Sequence, residues 1–259
     1  MPYQAEIINL VLSVIAGFLP AIFWLWFWLK QDKKKPEPKR ILLKTFFFGA
    51  VMVFLATMIQ KSLNDVSFFQ KAGQKISLII SSGFSLKDIQ DESLIKILFL
   101  AFFVWALIEE VLKFLAAKIA AFDSQYFDEP IDAMIYLITA ALGFAAMENT
   151  LHFFTDFHYP AILITGNLRF LGATLVHAVS SAIVGGFIAL NFCKSPEKRE
   201  AFVWLGLFFA TLLHTLFNLF IIITSGSGQY FLTYLSLWVI AVFLIWFFEK
   251  VKVITCSNN

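Results

Sequence analysis

Long apolar stretches are the feature that most restricts how this chain can fold. Stretches of about 20 residues, the length that crosses the hydrocarbon layer as a helix, lie near residues 7–29, 41–59, 97–122, 133–154, 170–192, 201–223 and 231–248. Backbone polar groups cannot stay unpaired in lipid, and segments this long and continuous do not match barrel strands. The sequence therefore predicts an all-α, polytopic membrane bundle of about seven transmembrane helices, with residues 1–259 in a single membrane domain.

The composition supports a membrane protein and argues against several other classes. Apolar residues make up 59% of the chain and charged residues 15%, whereas soluble domains contain roughly one-half and one-quarter. The lipid bilayer is thus an expected partner. Nucleic acid is not, because the net charge is only +2 and the basic residues lie beside apolar runs. Cys193 and Cys256 are too few and too far apart to indicate a disulfide framework or a Cys-based metal site, and no role is assigned to them.

The distribution of lysine and arginine predicts the orientation, since short cytoplasmic loops are enriched in these residues. The strongest signal is the basic first loop, residues 30–40. Placing it inside also places the 194–199 loop and the tail with Lys250 and Lys252 inside, and the loop around Asp156 and the 225–228 turn outside. The predicted N-terminus is therefore outside and the C-terminus is cytoplasmic.

Charged and polar side chains interrupt four of the apolar stretches. A charge at mid-bilayer costs about 2.5–3.5 kcal/mol, so such residues usually face the inside of a bundle and have a function. With a rise of about 1.5 Å per residue, Glu148, His177 and His214 all lie roughly 8–10 Å below the outer face. Glu109, counted the same way, lies a few ångströms deeper. We therefore expect one buried site that contains Glu109, Glu110, Lys113, Glu148, Asn149, His177, His214 and Asn218.

Histidine and carboxylate side chains at this site are typical of a catalytic metal centre. His and carboxylate ligands around one open position suit a catalytic zinc ion, which activates its bound water. Glu148, His177 and His214 offer this ligand set from three helices. Asn149 follows Glu148 directly and His152 lies one turn beyond it, so both are candidates for a supporting role around the ligands.

The adjacent glutamates of the third stretch suit proton transfer. Two neighbouring carboxylates in low dielectric cannot both ionise comfortably, so Glu109 or Glu110 is expected to act as general acid and base. Lys113 lies one turn further along the same helix face and would orient the other carboxylate. Asn218 lies one turn beyond His214, where its amide would stabilise a developing oxyanion.

Other interpretations of these residues stay open at this point. Glu109 and Lys113 could form a structural ion pair within one helix, and each histidine could be an interhelical hydrogen-bonding residue. The Glu and His residues together could form the proton relay of a transporter. His177 and His214 could be axial ligands of a membrane haem, although the glutamates would then have no purpose.

The polar residues fall into four motifs, and their order and spacing resemble those of the PrsW-type intramembrane proteases, relatives of the CAAX prenyl endopeptidases and bacteriocin-processing membrane proteases. The motifs are Glu109-Glu110-x-x-Lys113, Phe144-x-x-x-Glu148 followed by Asn149, the single His177, and His214-x-x-x-Asn218. The resemblance covers a catalytic core of roughly residues 97–223.

The resemblance implies an intramembrane metalloprotease of the bacterial plasma membrane. Its expected partner is a membrane-bound protein or peptide substrate, such as an anti-sigma factor, and its expected cut lies on the extracytoplasmic side. The family implies a divalent metal, with zinc the expected ion. The related prenyl endopeptidases imply an alternative, in which a glutamate-activated water cleaves the peptide without a metal.

Overall fold

The computed structural model of the chain describes residues 2–32, 35–82, 88, 90–155, 172–224, 230–254 and 256. Within these residues there is no strand, which confirms the all-α prediction. The helices are α1 (Pro2–Leu29), α2 (Lys39–Leu63), α3 (Ser67–Ser82), α4 (Glu92–Ala117), α5 (Pro130–Thr155), α6 (Thr174–Leu190), α7 (Pro196–Thr224) and α8 (Tyr230–Val251), and a π-helical turn (Lys118–Phe122) extends α4.

Five of these helices, α1, α2, α5, α7 and α8, are long and apolar enough to cross a membrane. This confirms the multi-pass membrane prediction. The described part of α6 is apolar but has only 17 residues, and α4 contains the charged residues of the first motif. Seven spans and the orientation therefore remain predictions. The proposed outer segment around Asp156 and the 225–228 turn lie outside the described residues.

Helix α5 occupies the centre of the bundle, and 94% of its apolar segment is buried. Two glycines bring α2 against it. A Cβ on Gly49 of α2 would lie 2.0 Å from the carbonyl oxygen of Ala140, and a Cβ on Gly143 of α5 would lie 1.9 Å from that of Phe46. Any larger residue at either position would push the helices apart. This contact fixes the position of α2 relative to the polar residues on α5.

The peripheral helices present their apolar side chains outwards. Leu43 and Met58 on α2 are 71% and 67% exposed, and α1, α7 and α8 expose rows of large hydrophobic residues in the same way. A soluble protein would rarely expose so much contiguous apolar surface. This surface is consistent with contact with acyl chains, and it leaves the interior of the bundle for the polar residues.

Cys193 and Cys256, to which the sequence assigned no role, form a disulfide. The expectation was wrong because distance along the chain does not determine distance in space. The two cysteines are 63 residues apart, but the α6–α7 loop and the tail after α8 lie at the same end of the bundle, with their Cα atoms 5.4 Å apart. Cys256 also lines a cavity of about 900 Å³ at that end, and none of the residues lining it belongs to the group of potential metal ligands found among the described residues.

Candidate functional site

The polar site begins near the end of α4, whose first turn is capped by Asp91. The Asp91 side chain accepts hydrogen bonds from the backbone N–H groups of Ser93 and Leu94, and such a cap stabilises the start of a helix. About five turns after Asp91, Glu110 and Lys113 are both buried, and Lys113 Nζ donates to Glu110 Oε1 at 2.8 Å. Each charge is thus compensated by its neighbour on the same helix face.

Glu110 also receives hydrogen bonds from two other helices. His214 Nδ1 on α7 lies 2.9 Å from Glu110 Oε1, and Ser181 Oγ on α6 donates to Glu110 Oε2 at 3.3 Å. A carboxylate can only accept from the imidazole, so Nδ1 of His214 carries the proton and Nε2 is left as the basic nitrogen. Glu110 is therefore a fully bonded carboxylate that orients His214.

Glu109 is held more loosely than Glu110. Gln60 Nε2 on α2 donates to Glu109 Oε1 at 3.0 Å. The other oxygen, Oε2, is buried, has no hydrogen-bond partner in the part of the chain that the structure describes, and lies 3.8 Å from Nε2 of His214. One oxygen of Glu109 is therefore anchored while the other faces the histidine.

His177 stands in the first turn of α6, opposite His214. Their ring centroids are 4.9 Å apart and the rings are nearly perpendicular, at 80°. His177 Nε2 lies 2.8 Å from Oε2 of Glu148, whose side chain is 34% exposed. Asn149 donates to Thr174 at 3.0 Å, which ties α5 to α6 one turn before His177. Each histidine is therefore next to a carboxylate from another helix.

The structure groups one carboxylate with the two histidines as potential metal ligands. One ligand atom each of Glu109, His177 and His214 lie within 4.8 Å of one another. Two imidazoles and one carboxylate are a donor set used by catalytic zinc. The predicted ligand set contained Glu148 in place of Glu109, and Glu148 instead lies beside His177 at the edge of this group.

A cavity of about 300 Å³ opens onto these groups. Its polar lining residues are Glu109, Glu148, His177, His214 and Asn218. The remaining lining residues are apolar or aromatic: Ala173, Val176, Phe217, Ile221 and Tyr234. Glu110 and Lys113 do not line the cavity and lie behind His214. A substrate in the cavity would thus meet five of the predicted residues directly.

Three residues that contact the site were not predicted from the sequence, and one predicted residue lies at the margin of the site. Gln60 stands at the end of an apolar stretch, where an amide usually marks the membrane boundary. Ser181 belongs to a run of small residues that indicates helix packing, and Tyr234 is one aromatic residue among many. His152 is half-buried one turn beyond Glu148, with its ring 6.2 Å from that of Phe153.

The comparisons with known proteins agree with one another. The sequence profile of the PrsW family intramembrane metalloproteases matches residues 37–247. Protease PrsW of Bacillus subtilis (strain 168) is 27% identical over 239 residues, which are 90% of this chain and 91% of that protein. Protease PrsW of Oceanobacillus iheyensis is 28% identical over 90% of this chain and 94% of its own length. No solved structure matches.

Proposed function

Since this chain belongs to the PrsW family of intramembrane metalloproteases and is therefore a peptidase of a bacterial membrane, we propose that it hydrolyses a peptide bond of a membrane-bound protein with the aid of a divalent metal ion, zinc, held in the polar cavity. The observation that carries this proposal is the approach of Glu109, His177 and His214 to within 4.8 Å of one another.

The side chains at this position fit such an ion. Oε2 of Glu109 and Nδ1 of His177 are buried without a hydrogen-bond partner in the described part of the chain, and unpaired buried polar atoms are costly. A ligand that accepts electron pairs from both would remove this cost. When bound, zinc would supply Lewis-acid polarisation of the scissile carbonyl group.

The carboxylates next to the histidines support the role of the histidines as metal ligands. Histidines that bind a metal usually donate their second ring N–H to a carboxylate or carbonyl group, which sets the tautomer and the ring orientation. Glu110 serves His214 in this way at 2.9 Å, and Glu148 lies 2.8 Å from His177. Lys113 holds Glu110 in position through its buried ion pair.

Peptide hydrolysis also needs a proton acceptor for water and a donor for the developing oxyanion. We assign the first role to Glu148, the most exposed carboxylate of the cavity. Asn218 lines the same cavity, and its amide N–H groups are suited to stabilise the oxyanion. The apolar and aromatic lining residues, which include Phe217 and Tyr234, would contact a side chain next to the scissile bond.

A second distribution of roles exchanges the two cavity carboxylates. In it, Glu148 binds the metal with the two histidines and Glu109 accepts the proton. The distance of 2.8 Å between Glu148 Oε2 and His177 Nε2 favours this candidate. Both distributions use the same reaction, and they differ in which glutamate is needed to retain the metal.

The site lies close to one end of the bundle. Glu148 stands two turns before the end of α5, and His177 lies in the first turn of α6. A helical substrate must unwind before it can be cut, and its freed backbone groups can pair with water only near the interface. We therefore propose cleavage near the outer face, just outside or in the outer third of the span of a substrate such as an anti-sigma factor.

The test separates metal retention from proton transfer. Wild-type protein, Glu109→Gln and Glu148→Gln are purified, their zinc content is measured, and processing of a co-expressed single-span anti-sigma factor is followed. We expect Glu109→Gln to lose zinc, and Glu148→Gln to keep zinc while activity falls about 10²- to 10⁴-fold. Glu92→Gln, whose side chain is 83% exposed on the same helix as Glu109, is the control.

Each other outcome has a defined meaning. Loss of zinc from Glu148→Gln and retention by Glu109→Gln would favour the second distribution. Active protein that contains no metal and resists chelators would contradict the metal-dependent proposal and support the metal-free mechanism. Mass spectrometry of the new terminus gives the position of the cut, and a cut on the cytoplasmic side would contradict the proposed location.

A further inference from the structure

The last turn of α2 brings a neutral amide to the polar site. Val53, Ala56 and Gln60 lie on one face of this helix at i, i+3 and i+7, the spacing of an apolar stripe. Val53 and Ala56 are buried against Leu112 of α4 and Phe144 of α5. Gln60 continues this stripe with a half-buried polar side chain, at the point where α2 passes Glu109.

The hydrogen bond from Gln60 distinguishes the two oxygens of Glu109. Its Nε2 donates to Oε1 at 3.0 Å, which leaves Oε2 turned towards Nε2 of His214, 3.8 Å away. Without this donor the carboxyl group could rotate about its last bond, and neither oxygen would have a defined place. The amide therefore restricts Glu109 to the orientation in which one oxygen is available to the histidines.

The chemical type of the donor also matters. Glu110 is paired with the cation Lys113 and with two further donors, so its carboxylate is already compensated within the protein. Gln60 carries no charge and offers Glu109 a single hydrogen bond. Among the described residues, no lysine or arginine forms an ion pair with Glu109, so its carboxyl group can bind a metal ion or a proton, whereas a lysine at position 60 would pair with it.

We propose that Gln60 is a positioning residue for Glu109, and that the docking of α2 against α4 and α5 is part of the catalytic apparatus. This rests on the proposed function. Gln60 does not line the cavity, so it acts through Glu109 and does not contact the substrate. The close approach at Gly49 and Gly143, three turns away, supplies the rigidity that such positioning requires.

The experiment replaces the amide while keeping its size. Gln60→Met keeps the length of the side chain and removes the donor, and Gln60→Glu keeps the shape and places a second carboxylate beside Glu109. Gln70→Met makes the same exchange at an exposed position of α3 and is the matched control. For each purified protein we measure the affinity for Zn²⁺ alone by calorimetry, kcat and KM with the single-span anti-sigma factor, and the melting temperature.

We expect Gln60→Met to lose about 10- to 100-fold in Zn²⁺ affinity or in kcat, the usual effect of removing a partner of a metal ligand. KM and the melting temperature should remain near the wild-type values, because neither the cavity wall nor the apolar stripe is changed. Gln60→Glu should lose more than Gln60→Met, since two adjacent carboxylates repel. Gln70→Met should match the wild type.

A purely structural role would give a different pattern. A lower melting temperature for Gln60→Met, with unchanged Zn²⁺ affinity and kcat, would overturn the proposal, and so would a Gln60→Glu variant as active as the wild type. If the wild-type protein neither binds Zn²⁺ nor cleaves the substrate, the proposed function itself fails. If the wild type does both and Gln60→Met equals it, only the positioning role fails.

Discussion

Replacing Lys113 by methionine is the most informative single change to the buried charges. Lys113 is completely buried, and its ammonium group lies 2.8 Å from Glu110 Oε1 and 5.0 Å from the centre of the Phe144 ring. Methionine has a similar length and fills the same space without a charge. The change therefore leaves the buried carboxylate of Glu110 without its cation.

The structure indicates the size of the effect. Removing one partner of a buried ion pair typically costs about 3–5 kcal/mol. Glu110 keeps two donors, Ser181 and His214, so we expect a loss at the lower end, about 3 kcal/mol. The double variant Lys113→Met/Glu110→Gln removes both charges and should recover most of this loss. Its activity should stay low, because His214 has lost the carboxylate that orients it.

The assay is reversible unfolding in dodecylmaltoside micelles with increasing sodium dodecyl sulfate, followed by circular dichroism. Lys96→Met is the matched control, since Lys96 forms an exposed pair with Glu92 on the same helix, and exposed pairs contribute little. Lys113→Met should keep more activity than Glu109→Gln. A double variant whose stability loss equals the sum of the two single losses would refute the argument, because the two charges would then not interact.

Three further predictions concern other parts of the molecule. Gly143→Ala should lower stability by about 1–3 kcal/mol, measured in the same unfolding assay, because its Cβ would lie 1.9 Å from the carbonyl oxygen of Phe46. Burial raises the pKa of the Glu37 carboxyl group above its ordinary value of 4.5. The contribution of Glu37 to stability is therefore fully present below pH 4.5 and is lost as the pH rises through the raised pKa. Glu37→Gln should flatten the dependence of the melting temperature on pH. Cys193 and Cys256 are disulfide-bonded, and such bonds are rare in the cytoplasm, so mass spectrometry of protein from cells alkylated before lysis should show the bond and place this end of the bundle outside. Free thiols that react with a maleimide only after permeabilisation would contradict the bond and support the predicted cytoplasmic tail.

The class of fold and most of the polar residues of the site could be predicted from the sequence alone. A stretch of apolar residues long enough to cross the bilayer must be helical, because lipid offers the backbone no hydrogen bonds. A charged or polar side chain in lipid is also costly, so Glu109, Glu148, His177 and His214 must face the interior of the bundle. Their shared depth follows from the constant rise of a helix, and the structure does bring them to one cavity.

How these residues pair with one another depends on the packing of the helices and could not be predicted from the sequence. Glu109 and Glu110 are neighbours in sequence, but successive helical residues point about 100° apart. The packing of α2, α6 and α7 around α4 decides that Glu110 meets Ser181 and His214 while Glu109 meets Gln60. The partners come from helices at unrelated distances along the chain, and the pattern of a single helix contains no information about them. The same is true of the disulfide, because the two chain segments it joins become neighbours only when the bundle is assembled.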